Sequence, residues 1–87
     1  VANYRVKISS TAEKALKKIP KKQISKIIEV IQMLAIQPYP KGCRKLSGEE
    51  TIFRVRHGNY RIIYEVIDNE LIILVLKIGH RKDIYRK

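Results

Sequence analysis

At 87 residues the chain is long enough for one small domain and too short for two, and its 45% apolar content supports one compact core and argues against disorder. The 19 Lys and Arg against 8 Asp and Glu leave a formal charge of +11, which points to an anionic partner such as nucleic acid, an acidic protein or a membrane surface. No apolar run approaches the roughly 20 residues of a membrane-spanning helix, and Cys43 stands alone, which excludes an internal disulfide and fits a reducing cytoplasm.

No secretory signal pattern opens the chain, and Val1 in first place reads as the residue left after removal of an initiator Met. Tyr4-Arg5-Val6-Lys7-Ile8 alternates, predicting a first strand with Tyr4, Val6 and Ile8 toward the core. Ser10 with Glu13 three residues on makes a capping box, and a short helix is expected from about Thr11 to Lys18, with Ala12, Ala15, Leu16 and Ile19 as its apolar stripe. Pro20 separates it from a longer helix that it can open. There Ile24, Ile27, Ile28, Ile31 and Leu34 keep the helical period, and Val30, Met33 and Ala35 widen the buried side. Lys14, Lys17, Lys18, Lys21, Lys22 and Lys26 fall outside the stripe, as a solvated face or a secondary nucleic-acid contact. Gln37-Pro38-Tyr39-Pro40-Lys41-Gly42 ends the helix in a loop. Lys45-Leu46-Ser47-Gly48 then leads to the acidic pair Glu49-Glu50, either a loop contact or a carboxylate near a site.

The stretch from Phe53 to Tyr64 reads as two strands around the turn pair Gly58-Asn59, with glycine first as a type II′ hairpin prefers. With those two residues as the loop, His57 opposes Tyr60, Arg56 opposes Arg61, Val55 opposes Ile62, Arg54 opposes Ile63 and Phe53 opposes Tyr64. One face then carries Phe53, Val55, Ile62 and Tyr64, and the other carries Arg54, Arg56 and Arg61. A slip of one residue would drive Arg61 into the core face. Like charges placed directly opposite repel, so the arginine face calls for a phosphate, a partner's carboxylates or simply solvent. Tyr60 and Tyr64, sharing the apolar face, are expected in the core.

Val66-Ile67 continues the strand, Asp68-Asn69 reads as a second two-residue turn, and Leu71 to Ile78 is apolar on both faces, as a central strand should be. That turn would set Tyr64 opposite Ile73 and Arg61 opposite Leu76, and continued alternation would bring His80 to the arginine face. The fold class is therefore α+β in the order β-α-α-β-β-β, a helical hairpin packed on one face of a small, mainly antiparallel sheet, with residues 1–87 as one domain. Cys43, His57 and His80 are too few and too scattered for a metal cluster, and the four glycines form no phosphate loop. No metal or other cofactor is expected.

This order of elements resembles the RelE/ParE superfamily of toxins from toxin–antitoxin pairs. The resemblance runs from the first strand through Ala12, Ala15-Leu16, Ile19-Pro20 and Lys45-Leu46-Ser47-Gly48 to Phe53-Arg54-Val55-Arg56. It is strongest at Gly58-Asn59-Tyr60-Arg61-Ile62-Ile63-Tyr64-Glu65-Val66 and Ile78-Gly79-His80-Arg81-Lys82-Asp83-Ile84-Tyr85. It implies a cytoplasmic, metal-independent endoribonuclease that cuts mRNA on the ribosome by attack of a 2′-hydroxyl on the neighbouring phosphate. An acidic RelB-like antitoxin would neutralise it. On this resemblance Arg61 clamps phosphate, Arg81 stabilises or protonates the leaving group, Tyr85 orients or stacks on the nucleotide, and Lys45, Arg54 and Arg56 bind substrate.

One departure concerns the base. Arg54 and Arg56 stand where some RelE toxins carry lysine, and an arginine holds its proton too tightly to act as a general base. His80 enters as the titrating substitute, with Glu49 or Glu50 behind it. Two other readings stay open: a ParE-like inhibitor of DNA gyrase on the same fold, and a non-catalytic basic domain that binds nucleic acid.

Overall fold

The computed structural model describes residues 3–46, 48 and 50–80. Its elements follow in the order β1 (Arg5–Ile8), α1 (Ser10–Lys17), α2 (Lys21–Ile36), β2 (Arg44–Lys45), β3 (Ile52–His57), β4 (Tyr60–Ile67), a 3-10 turn (Asp68–Glu70) and β5 (Ile72–His80). The expected α+β order is present, with one short edge strand, β2, where a loop was expected. The strands form one sheet in the order β1-β5-β4-β3-β2. Neighbouring strands run antiparallel except β1 and β5, the strands furthest apart in sequence, which pair in parallel.

Alternation divides the sheet into two faces. Val55, Ile62, Tyr64, Val66, Ile73, Val75 and Ile78 turn one way and meet Ala12, Ile19, Ile27, Ile31 and Leu34 from the helical layer. Each fully buried isoleucine in this cluster contributes about 1.5–3 kcal/mol. Tyr4, Val6 and Ile8 pack against the same cluster. Met33, expected on the buried side, is 58% exposed. It lies about 100° around the helix from Leu34, outside the stripe that Ile27, Ile31 and Leu34 define.

Two local features depart from the sequence expectation. The cap of α1 is Ser9, one residue before Ser10, and its hydroxyl accepts from the Ala12 amide at 3.1 Å. The same hydroxyl donates to the Leu76 carbonyl at 2.8 Å, and the Ser9 amide donates to the Val75 carbonyl at 2.9 Å. Ser9 thus joins the start of α1 to β5, which Ser10, exposed on the first turn, does not.

The second departure is the phase of β5. The β4–β5 connection spans four residues, with Ile67 opposite Ile72 and Leu71 in the left-handed region at φ 54°. A bulge then shifts the register between Ile63 and Tyr64, so that Ile63 faces Lys77 while Tyr64 faces Val75. Leu76 is the extra residue, and Ser9 satisfies its carbonyl. Arg61 therefore opposes Gly79, not Leu76, and His80 opposes Tyr60 on the helix-covered face.

Ser9→Ala removes a cap and the hydroxyl partner of the bulge carbonyl together, and is expected to destabilise the protein by about 1–3 kcal/mol. Ser10→Ala should change stability by less than about 0.5 kcal/mol. Urea unfolding of the two variants checks this, and a larger loss in Ser10→Ala would place the cap at Ser10.

Candidate functional site

The central hairpin has the register expected from its residues. His57 pairs with Tyr60, Arg56 with Arg61, Val55 with Ile62, Arg54 with Ile63 and Phe53 with Tyr64. Gly58 takes φ +58° and Asn59 stays at negative φ, the type II′ combination. Both helices pack on the Phe53 side of the sheet, so Arg54, Arg56 and Arg61 point to the face away from the helices.

β2 adds a fourth arginine. Arg44 lies directly opposite Arg54 and so shares its face. Lys45 lies opposite Phe53, on the other face. The structure thus gathers Arg44, Arg54, Arg56 and Arg61 around a cleft of about 100 Å3, with Gly42 on its rim. Lys45 is outside it. Arg44 was missed because a two-residue strand carries no periodicity. The available signal was its place one step ahead of Lys45, where alternation selects the opposite face.

Arg61 carries the most information. It sits on β4, between β3 and β5, and is only 8% exposed. Its Nε is buried and has no hydrogen-bond partner among the described residues. A buried, unsatisfied donor of a charged group costs a few kcal/mol, and Arg56 directly opposite adds like-charge repulsion. An anion seated in the cleft would relieve both. The guanidinium fork suits phosphate or carboxylate oxygens, and four such forks suit a dianion or a phosphodiester in transition.

The Gly42–Arg44 wall is held from the core side. Gly42 takes φ +92°, a conformation that favours glycine, as the chain enters β2. Ahead of it, the Tyr64 hydroxyl donates to the Pro38 carbonyl at 2.7 Å. Tyr39 packs edge-on to Phe53 at 5.1 Å, and Phe53 stacks on Tyr64 at 6.1 Å. The Tyr39 hydroxyl donates to Asp68 at 3.0 Å, and Tyr4 donates to the other oxygen of the same carboxylate. Burial raises the Tyr64 hydroxyl far above the usual tyrosine range, with nearby Cys43 adding to the effect. Desolvation, then the Asp68 hydrogen bond, push Tyr39 up to about 12, although the residue as a whole is 43% exposed. Asp68 raises Tyr4 as well.

His80 is absent from the arginine cleft. Its ring meets Tyr60 edge-on at 5.9 Å, and both line a separate groove of about 440 Å3 with Lys14, Lys18, Ile19 and Ile78 on the helix side. This groove is the larger, but it contains none of the arginines. His57, beside the turn, is half-buried. Arg81, Tyr85 and Glu49 lie outside the described residues. Among the described residues no three of His, Cys, Asp and Glu gather as metal ligands, and no helix is long and apolar enough to cross a membrane.

Residues 6–85 match the profile of the ParE toxin of type II toxin–antitoxin systems, parDE. The chain belongs to the RelE/ParE toxin superfamily. It is 32% identical to toxin RelG of Mycobacterium tuberculosis over 97% of this chain and 98% of that protein. It is 30% identical to the mRNA interferase toxin RelE of Escherichia coli K12 over 87% of this chain and 70% of that protein. The archaeal RelE–RelB complex from Pyrococcus horikoshii OT3 contains a chain that superposes with a TM-score of 0.82 at 34% identity, covering 93% of this chain and 98% of that one. The superfamily fold is thus present across the sheet that carries the cleft.

Inorganic phosphate is expected to raise the thermal midpoint of the wild-type protein by ligand linkage. Arg61→Met should be about 1 kcal/mol more stable than wild type without phosphate, because it removes a buried, incompletely paired charge and keeps an apolar stem. It should also lose most of the phosphate response. Thermal unfolding with and without phosphate reads both effects, and an Arg61→Met protein that is less stable and still responds would remove the cleft as an anion site.

The tyrosine node predicts a pH dependence. Tyr39 titrates near 10 when unfolded and near 12 when folded, so its contribution to stability is intact below pH 10 and is lost as pH rises toward 12. The stability difference between wild type and Tyr39→Phe should therefore shrink from pH 9 to pH 11 by urea unfolding. A constant difference would mean that the Tyr39 hydroxyl is not held by Asp68.

Proposed function

We propose that the chain is the toxin of a type II toxin–antitoxin pair that cuts mRNA on the ribosome and is neutralised by an acidic antitoxin. The observation that carries this reading is the cleft of four arginines around the buried Nε of Arg61, which has no hydrogen-bond partner among the described residues. Its similarity to a protein named mRNA interferase toxin RelE supports the substrate, and the RelE–RelB complex among its structural relatives supports the partner.

In the proposed reaction the 2′-hydroxyl oxygen attacks the adjacent phosphorus while its proton is removed. The bond from phosphorus to the 5′-oxygen breaks, and that oxygen takes up a proton, leaving a 2′,3′-cyclic phosphate and a 5′-hydroxyl. The arginines' part is electrostatic. Arg61 and Arg56 grip the non-bridging oxygens, and Arg44 and Arg54 hold the flanking phosphate, so that charge developing on phosphorus meets fixed cations. Arg81 stabilises or protonates the leaving oxygen and Tyr85 stacks on the nucleotide. The described lining of the cleft is Gly42 and four arginines, which are donors and cannot take a proton from the 2′-hydroxyl, and His80 faces the other side of the sheet. We therefore assign His80 no proton transfer, and the base comes from the C-terminal residues or from the ribosome.

A second reading follows from the matched family profile, which is that of ParE. A ParE-like chain would inhibit DNA gyrase and leave mRNA intact.

Primer extension on mRNA from a translating ribosome system separates the two. Codon-positioned breaks that fall at least 100-fold, as expected for loss of a transition-state contact of about 3 kcal/mol, in Arg61→Ala and Arg81→Ala alike support the nuclease. Intact mRNA with gyrase-dependent DNA breaks supports the ParE reading. His80→Ala should keep the wild-type pH profile from about pH 5.5 to 7.5. Loss of an inflection there would restore His80 as the base.

A further inference from the structure

We propose that the sheet face away from the helices is a backbone track for single-stranded RNA, running from the arginine cleft across Lys77 to Lys7 and Arg5 at the β1 edge. This rests on the reading that the cleft holds an RNA phosphate. The register places the residues. Arg44 faces Arg54, Arg54 faces Ile63, and Ile63 faces Lys77, so one transverse row crosses β2, β3, β4 and β5. Three inter-strand spacings separate its ends, about 14 Å. On the neighbouring strand Lys7 faces Leu74 and Arg5 faces Ile72, again on the face away from the helices. Lys7, Arg5 and Lys77 are all exposed.

The bulge at Leu76 makes this row possible. Without the extra residue Lys77 would turn into the helix-covered core. With it, the one cation of β5 joins the arginines.

The side chains between the cations are apolar and shielded. Ile63 and Ile72 are 7% and 6% exposed although neither belongs to the core cluster under the helices. What the face offers a ligand is therefore its row of long cationic side chains, which suits a polymer with regularly spaced phosphates. Glu65 lies on the same face, opposite Leu74, and accepts from Thr51 at 3.0 Å. Its charge repels a phosphate from the centre of the lower sheet and directs the strand to the β1 edge. The helix lysines lie on the other side of the sheet, so a strand seated in the cleft cannot reach them by the same path.

The test is fluorescence anisotropy on the 87-residue chain with a labelled oligouridine of about 12 nucleotides, long enough to leave the cleft, and with a uridine dinucleotide. Affinity is measured against salt for wild type, Lys77→Gln, Lys7→Gln, Arg61→Ala and, as a control on α2, Lys26→Gln. Each track variant should lower the slope of log affinity against log salt by about 0.7 for the long oligomer, one phosphate contact on a single strand. Dinucleotide binding and the phosphate-induced thermal shift should stay at wild-type values, and Lys26→Gln should change nothing. Unchanged slopes, or an equal change in Lys26→Gln, overturn the track and leave the cleft reading standing. Oligouridine affinity indifferent to Arg61→Ala overturns the cleft reading, and the track with it. Selective loss of polyglutamate binding in Lys77→Gln, with RNA binding intact, assigns the face to an acidic protein and overturns the proposal.

Discussion

Two pairs of arginines face each other across adjoining strands, Arg44 with Arg54 and Arg56 with Arg61. Nothing in the folding of a small α+β domain requires this arrangement, and electrostatics opposes it. The rest of the molecule supplies what holds the pairs in place. One sheet face is buried under two helices and contributes the apolar stabilisation. The opposite face is free to carry unfavourable chemistry because the register is fixed from behind. Phe53, Val55, Ile62 and Tyr64 cannot slip by one residue without exposing themselves and burying Arg61 in the core.

Support for the cleft is correspondingly indirect. None of the groups that fix its outer wall touches the position where an anion would sit. Tyr64, Phe53, Tyr39 and Asp68 hold the loop ahead of β2 through one hydroxyl, two ring contacts and a shared carboxylate. Their effect is to place Gly42 and Arg44. Preorganisation of this kind leaves the arginines little freedom to move apart when empty, which is the condition under which fixed cations stabilise a transition state more than they stabilise a flexible ground state.

The hairpin was legible in the sequence because two independent signals agreed. Gly58-Asn59 set the loop length, and alternation set the faces. The helices were legible from their period, apart from Met33. β5 was not, because a continuously apolar run carries no phase. Its phase came from a four-residue connection ending in left-handed Leu71 and from the extra residue Leu76, and neither leaves a mark in hydropathy. That error moved His80 to the wrong face. Adjacent serines hid the cap in the same way: the choice of Ser9 depends on the distant Leu76 carbonyl. Arg44 was hidden by the shortness of β2, whose two residues pair only because β3 is already there. Arg54, Arg56 and Arg61 were placed from the sequence alone, and the fourth wall of their cleft was not.

The parallel pairing of β1 with β5 has a consequence for when the site comes into being. β5 is the last strand in chain order among the described residues, yet it lies inside the sheet, between the first strand and β4. During synthesis, β1 has no neighbour until β5 leaves the ribosome, and one flank of β4 stays open until the same moment. Such long-range closure forms late. Arg61 owes its burial partly to β5, so the cleft reaches its desolvated form only after β5 has joined the sheet. A nascent chain that has not yet released β5 would carry the arginines as ordinary solvated side chains, so the anion site and the closed sheet come into being in a single step.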